Sequence, residues 1–179
     1  MTPTLPVSAP VIETERLTLR GPDARDEAAY LAFFTSDAAR FIGGGHRTKR
    51  WKAWEYFALD IGHWQIRGFG MWAVCWKGSA RALGLVGPFR PEGYPENELA
   101  WFLFDDAQGQ GVAQEAAIAA RNFLYRTLKW RTLVSYIDPA NAASIRLAER
   151  LGAVLDPAAP KPVDDDPLVY RHPAPEACP

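Results

Sequence analysis

The chain has 179 residues, enough for one domain with a buried core, and its 48% hydrophobic and 12% aromatic content fits a globular protein. A formal net charge of -1 excludes the basic surface that a nonspecific grip on nucleic acid requires. It contains no run of about 18 apolar residues, so no membrane span is expected, and the opening Met-Thr-Pro-Thr-Leu-Pro-Val lacks the parts of a secretory signal, which makes the cytoplasm the default location.

Residues 1–10 hold three prolines and read as a flexible arm, residues 11–172 as a single domain, and residues 173–179 as a tail. Glu13 to Arg20 alternates as a strand, with Leu17 and Leu19 on one face. Asp23 can cap a helix running to about Thr35, with Ala28, Leu31 and Phe34 or Ala32 as its inner stripe. Gly43-Gly44-Gly45 breaks the chain. From Thr48 to about Ile66, Trp51, Trp54, Phe57, Ala58, Ile61 and Trp64 recur at helical spacing. Such a face is first of all one that packs a core; the sharper alternative is that Trp51 and Trp54 wall the acceptor pocket.

Three strand-like runs follow, Phe69 to Trp76, Ala82 to Phe89 and Glu98 to Phe104, the first two joined by the short turn Lys77-Gly78-Ser79. A third helix spans about Val112 to Leu128, with Ala113, Ala116, Ala117, Ala120, Phe123, Leu124 and Leu128 inward. Thr132 to Ile137 is the next strand. Asn141 opens a fourth helix with Ile145, Ala148 and Leu151 inside, and Gly152 stands just past its end. Ala153–Leu155 and Leu168–His172 complete the strands around an exposed, proline- and aspartate-rich loop at 156–167. The order of elements describes a mixed sheet covered by helices on both faces.

The stretch Glu98 to Ala113 organises the chemistry. A strand runs into Gln108-Gly109-Gln110-Gly111-Val112-Ala113, and a helix starts at that turn. Amides at a helix N-terminus have no intrahelical partner, and glycines let an anion approach the backbone closely. A dinucleotide fingerprint is disfavoured because Gln114 holds its third small position, and a mononucleotide loop lacks its Gly-Lys-Ser/Thr. On the turn alone, a phosphate site and a ligand-free tight turn stay open.

The wider pattern is more specific. The Gln108–Ala113 turn resembles the Gln/Arg-x-x-Gly-x-Gly/Ala signature of the GNAT superfamily of N-acetyltransferases, between its fourth strand and third helix. Asn141-Ala-Ala-Ser144 through Leu151-Gly152-Ala153 is similar to the Asn-x-x-Ser…Leu-Gly-Phe helix of the ribosomal-protein alanine acetyltransferase (RimJ/RimL-like) branch, and Thr14-Glu-Arg-Leu-Thr-Leu-Arg20 to that branch's first strand. The three run from about residue 13 to residue 171. Departures are Val112 for the usual tyrosine, Ala107 and Gln108 before the glycines, Ala153 for phenylalanine, and Ala148 where many GNAT enzymes carry a tyrosine acid.

The resemblance implies a GNAT-like α/β (α+β) fold: a mixed, mostly antiparallel sheet of about seven strands flanked by about four helices. It implies direct acetyl transfer from acetyl-CoA to a primary amine, either a protein N-terminus or a small-molecule amine, with a noncatalytic acyl-CoA-binding protein as the alternative. Glu98 is then the candidate base and Ser144 the donor to the departing thiol. Gln108, Gly109, Gln110, Gly111, Val112 and Ala113 would hold pyrophosphate, Asn141 and the backbone of Phe102, Leu103 and Phe104 the pantetheine arm. The branch also allows a homodimer, and neither nucleic acid nor a membrane is expected as partner. No metal is expected: His46, His63 and His172 share no ligand-like spacing, and Cys75 and Cys178 suggest neither a disulfide framework nor a metal site. Glu115 matches a frequent glutamate of the branch, although a first-turn carboxylate is favourable on dipole grounds alone.

Overall fold

The computed structural model describes residues 8–43, 45, 49–163 and 165–177. Its strands are β1 (Ile12–Glu13), β2 (Leu17–Arg20), β3 (Trp72–Trp76), β4 (Ala82–Phe89), β5 (Glu98–Leu103), β6 (Val134–Ile137), β7 (Val154–Leu155) and β8 (Leu168–Arg171). They form one eight-stranded sheet in the order β1-β2-β3-β4-β5-β6-β8-β7. Every neighbouring pair is antiparallel except β5 and β6. The helices are α1 (Glu27–Phe34), α2 (Arg50–Arg67), α3 (Val112–Arg126) and α4 (Ala142–Arg150).

The sheet has one strand more than expected because the run from Glu13 to Arg20 divides. Thr14 folds back on Leu17: its N–H donates to the Leu17 carbonyl at 2.9 Å, and its hydroxyl oxygen accepts from the Leu17 N–H at 2.8 Å. The remaining boundaries fall within a few residues of those predicted, and Ala82–Phe89 coincides.

Alternation along the strands builds two cores. Trp72 and Val74 face the α3 side, while Ala73 and Cys75 face α1 and α2. In β4 the alternation breaks. Val74 pairs with Gly84 and Cys75 with Ala82, leaving Leu83 as an extra residue in a bulge. That is why Leu83 and Val86 both join the α3 core although they differ in parity. Gly84 sits at φ +149°, and a Cβ there would stand 2.2 Å from the Phe102 carbonyl oxygen.

Helix entry follows from local chemistry. Asp23 and Asp26 form a reciprocal capping box ahead of α1. Buried Asp26 also takes both terminal nitrogens of Arg20 at 2.8 and 2.7 Å, tying the end of β2 to the helix start. Within α1 the inner face is Tyr30, Leu31, Phe33 and Phe34; Ala28 and Ala32 are exposed. The small alanines yield to the aromatic residues, which bury more area per position.

The stripe expected on α2 is rotated. Ala53, Phe57, Asp60, His63 and Trp64 are buried, whereas Trp51 and Trp54 are 52% and 51% exposed. Two polar residues on the inner face, Asp60 and His63, disguise the true stripe. The His63 Nδ1 lies 2.7 Å from the Phe69 carbonyl, so it carries the proton, and Nε2 accepts from the Arg90 N–H at 3.0 Å. On α3, Ala116, Ala117, Ala120 and Leu124 are buried as expected, but Leu128 lies beyond the helix and is exposed, and Arg121 and Tyr125 are buried instead. Arg121 donates to the Leu151 carbonyl at 2.6 Å, which satisfies the end of α4.

Parts of the termini are packed. Ala9 lies against the core, and the Trp72 indole donates to the Pro10 carbonyl at 2.8 Å. The Tyr125 hydroxyl donates to the Pro173 carbonyl at 2.9 Å. Cys75 is buried; His46 and Cys178 lie outside the described residues. Among the described residues no helix is long and apolar enough to cross a membrane.

Candidate active site

The site forms where the sheet comes apart. β5 and β6 share a single paired register position, Glu98 with Val134, and then diverge. A cavity of about 590 Å³ opens at the divergence, lined on one side by Glu98 to Phe102 and on the other by Ser135 to Pro139, Asn141 and Ser144. A parallel pair that stopped hydrogen bonding would strand buried carbonyls on β5. The Phe104 N–H donates to the Leu83 carbonyl at 2.8 Å, and antiparallel bonding alternates. The backbones of Phe104 and Phe102 therefore belong to the β4 side, and those of Leu103, Trp101 and Leu99 turn toward the cleft. The expectation that the Phe102 and Phe104 backbones meet pantetheine is corrected accordingly: both belong to the β4 side, and the Phe104 N–H is already used.

Two of the cleft-facing carbonyls, those of Leu99 and Leu103, have side-chain partners. The Ser135 hydroxyl donates to the Leu99 carbonyl at 2.6 Å. With its only hydrogen spent, Ser135 Oγ accepts from Nε2 of His172 at 3.0 Å, which fixes the histidine tautomer. Burial, reinforced by the charge of Arg121, depresses the His172 imidazole to about 3, so it is neutral. This brace joins β5, β6 and β8 where the ladder fails. Ser135→Ala leaves two buried groups without partners, at about 1–3 kcal/mol each. We expect a loss of about 2–4 kcal/mol in urea unfolding, with little change in the slope of the transition.

Glu98, from the first position of β5, is buried and lines the cavity. One long bond reaches it, from the Tyr136 N–H at 3.4 Å. Burial pushes its carboxyl up to about 8, against the weak opposing pull of that N–H. A carboxylate so placed is held near the pH at which amines exchange protons.

Ser144 faces the same cavity from α4. Asn141 caps this helix, its side-chain oxygen accepting from the Ser144 N–H at 3.1 Å. The Trp101 indole donates to Ser144 Oγ at 3.1 Å. Because the oxygen accepts there, its hydroxyl hydrogen remains for another acceptor. Nothing in the sequence signals this side-chain contact between β5 and α4.

The glycine turn lies beyond the cavity, past the C-terminal end of β5. Gly109 and Gly111 both adopt left-handed φ, +74° and +76°, and no side chain caps the N-terminus of α3. Nothing stands within 4 Å of where a Gly109 Cβ would project, so the turn presents a bare surface. Its shape is fixed from behind. The Gln108 amide donates to the Leu103 carbonyl at 3.3 Å and the Gln110 amide to the Asp106 carbonyl at 2.8 Å. Glu115 accepts from the Thr14 hydroxyl at 2.6 Å and from Arg16 at 3.0 and 2.7 Å, and Arg16 in turn reaches the Gln110 carbonyl at 3.2 Å. The first-strand motif and the helix glutamate are thus one bracket that holds the turn.

The cavity's other wall comes from α2 and the loops before it and before β8. Tyr56 and Asp60 line it, together with Tyr94, Asp165 and Asp166; Trp51 and Trp54 do not. Asp164 lies outside the described residues. Among the described residues no group of three histidine, cysteine or acidic side chains gathers as metal ligands do.

Comparison with known proteins gives this architecture its class. Residues 16–154 match the acetyltransferase (GNAT) domain family. The protein YkkB of Bacillus subtilis (strain 168), itself uncharacterized, is 30% identical over 146 residues, covering 78% of this chain and 82% of YkkB. An acetyltransferase from Agrobacterium tumefaciens str. C58 is 36% identical, with a TM-score of 0.86 over 97% of this chain and 99% of its own. RimL, a ribosomal-protein α-N-acetyltransferase solved with coenzyme A, shares the fold at 18% identity, with a TM-score of 0.69 over 91% and 96% of the two chains. The chain belongs to the GNAT family and is an acyl-CoA-dependent N-acetyltransferase.

Proposed function

We propose that the protein moves acetyl from acetyl-CoA to a primary amine by direct transfer, without a covalent enzyme intermediate. One observation carries this reading: a buried carboxyl from β5 and a hydroxyl from α4 line one cavity at the split between β5 and β6. The residues present fit the donor. The N-terminus of α3 at the glycine turn, which no side chain caps, suits a pyrophosphate, and the cleft-facing backbone of Trp101 and Leu103, with Asn141, suits an amide-bearing arm laid along β5 like an added strand.

An amine attacks only when neutral, and α-amino and lysine groups hold their protons to about 8 and about 10.4. Ionised Glu98 accepts that proton. The new nitrogen–carbon bond forms as the carbon–sulfur bond breaks, and β5 amides offer donors for the carbonyl oxygen. Ser144 supplies a hydrogen bond to the leaving sulfur; as an alcohol it stabilises or relays a proton rather than acting as a strong acid.

The test is release of free thiol from acetyl-CoA in the presence of amines: diamines, polyamines, amino acids, aminoglycosides and peptides. Release that depends on both acetyl-CoA and an amine is the expected result. Tight CoA binding with silence across the whole panel would instead establish an acyl-CoA-binding protein on the same fold.

A further inference from the structure

One cavity group has no part in the transfer chemistry. Asp60 of α2 is 1% exposed and lines the wall supplied by α2. Its Oδ2 accepts the Tyr30 hydroxyl proton at 2.6 Å, while Oδ1 is buried and has no hydrogen-bond partner. Around the Tyr30 ring that bonds it, Phe34, Phe57 and Phe102 pack ring against ring. Burying a carboxyl among aromatics is costly, and a lone phenol needs only a neutral acceptor. A carboxyl with an orphaned oxygen beside a cavity implies a donor that arrives with a ligand.

The cavity's charge balance specifies that donor. Among the described residues, Glu98, Asp138, Asp165 and Asp166 line it with Asp60, against one guanidinium, Arg40, which stacks on Phe41 and bonds the Asp37 carbonyl. Asp138 accepts from the Ala140 N–H, and Asp166 is paired with Lys161. Tyr56 and Tyr94 line the same space, and aromatic rings there favour a cation over a neutral group.

Resting on the acetyl-transfer reading, we propose that Asp60 is the acceptor anchor: it binds a second, still protonated nitrogen of the acceptor, so that the preferred substrates are small diamines or polyamines. One nitrogen loses its proton to Glu98 and takes the acetyl group as the thioester bond breaks and CoA leaves as the thiol. The other stays charged against Asp60 Oδ1. Burial pushes the Asp60 carboxyl up to about 7, opposed by the Tyr30 bond, and an ammonium beside Oδ1 would draw it back to the ionised form.

The experiment compares alkyl diamines and spermidine with alkyl monoamines of equal length, in the native protein and in Asp60→Asn, which keeps an oxygen for Tyr30. Calorimetry in the presence of CoA reads binding without turnover, and thiol release reads KM and kcat. The native protein should bind the best diamine at least about ten-fold more tightly than its monoamine. Asp60→Asn should erase that preference by raising the diamine KM about ten-fold, with kcat and the monoamine KM nearly unchanged. Equal affinity for diamine and monoamine in the native protein overturns the anchor even if the variant does not fold. A preference surviving in a folded Asp60→Asn, or a peptide N-terminus with an uncharged side chain outcompeting every diamine, does so too. The two readings fail separately: Asp60-dependent diamine binding without thiol release removes the transfer and leaves the anchor, whereas transfer without diamine preference removes only the anchor.

Discussion

Glu98→Gln should lower kcat/KM for acetyl transfer by about 10²- to 10⁴-fold, the usual contribution of a positioned base, while leaving CoA affinity intact. The substitution keeps size and the bond from the Tyr136 N–H but cannot take a proton. In the native protein the rate should climb with pH and level off above about 8, where the Glu98 carboxyl ionises. The variant should lose that limb. Stability gives an independent reading with a definite sign. The folded chain holds this carboxyl at about 8 against an ordinary 4.5, so folding favours the protonated form. That stabilisation is complete below about 4.5 and is lost as pH rises through about 8. A glutamine does not titrate, so the variant should melt like the native protein at acid pH and above it at pH 9. Full activity in Glu98→Gln would move the base to another residue; equal melting temperatures at pH 9 would show that the carboxyl is not desolvated.

Gly109→Asp should weaken CoA binding by about 10- to 100-fold, the equivalent of losing charge-assisted hydrogen bonds of about 1.5–3 kcal/mol. Aspartate tolerates the left-handed backbone that Gly109 adopts at φ +74°, and its Cβ would meet nothing within 4 Å, so the fold should survive. It sets a negative charge where the pyrophosphate is proposed to lie. Gly109→Asn separates charge from shape: nearly the same volume and no charge, with most of the affinity retained. Calorimetric titration with CoA decides it. Equal affinity in the aspartate variant would remove the turn from the binding site, whatever the family signature suggests.

The frame of the molecule was legible because its signals are local. The turn before β4 and the proline loop after it gave that strand its bounds, Asn141 and Gly152 marked both ends of α4, and the glycine turn stands at the head of α3, between β5 and that helix. Errors came where two residues far apart satisfy each other. Asp60 and His63 look polar in sequence, yet they sit on the buried face of α2 because Tyr30, the Phe69 carbonyl and the Arg90 amide meet them. Trp51 and Trp54 drew the predicted stripe off by weight of area alone. Ser135 and His172 carried no readable signal, since their roles exist only where β5, β6 and β8 converge. Glu98 and Ser144 were legible through family resemblance; the Trp101 contact with Ser144 was not.

The single register position between β5 and β6 has a mechanical consequence. The sheet is in effect two plates, β1 to β5 and β6 to β8, fastened at one rivet beside Glu98. Glu98, the proposed proton acceptor, rides on the first plate and Ser144, the proposed hydroxyl donor, on the second. Beside the rivet the plates are held by side chains rather than ladder bonds: the Ser135 hydroxyl on the Leu99 carbonyl, the Trp101 indole on Ser144, and the Arg171 guanidinium on Glu96. The spacing between the two ends of the proposed reaction therefore depends on side-chain contacts that pin one plate to the other.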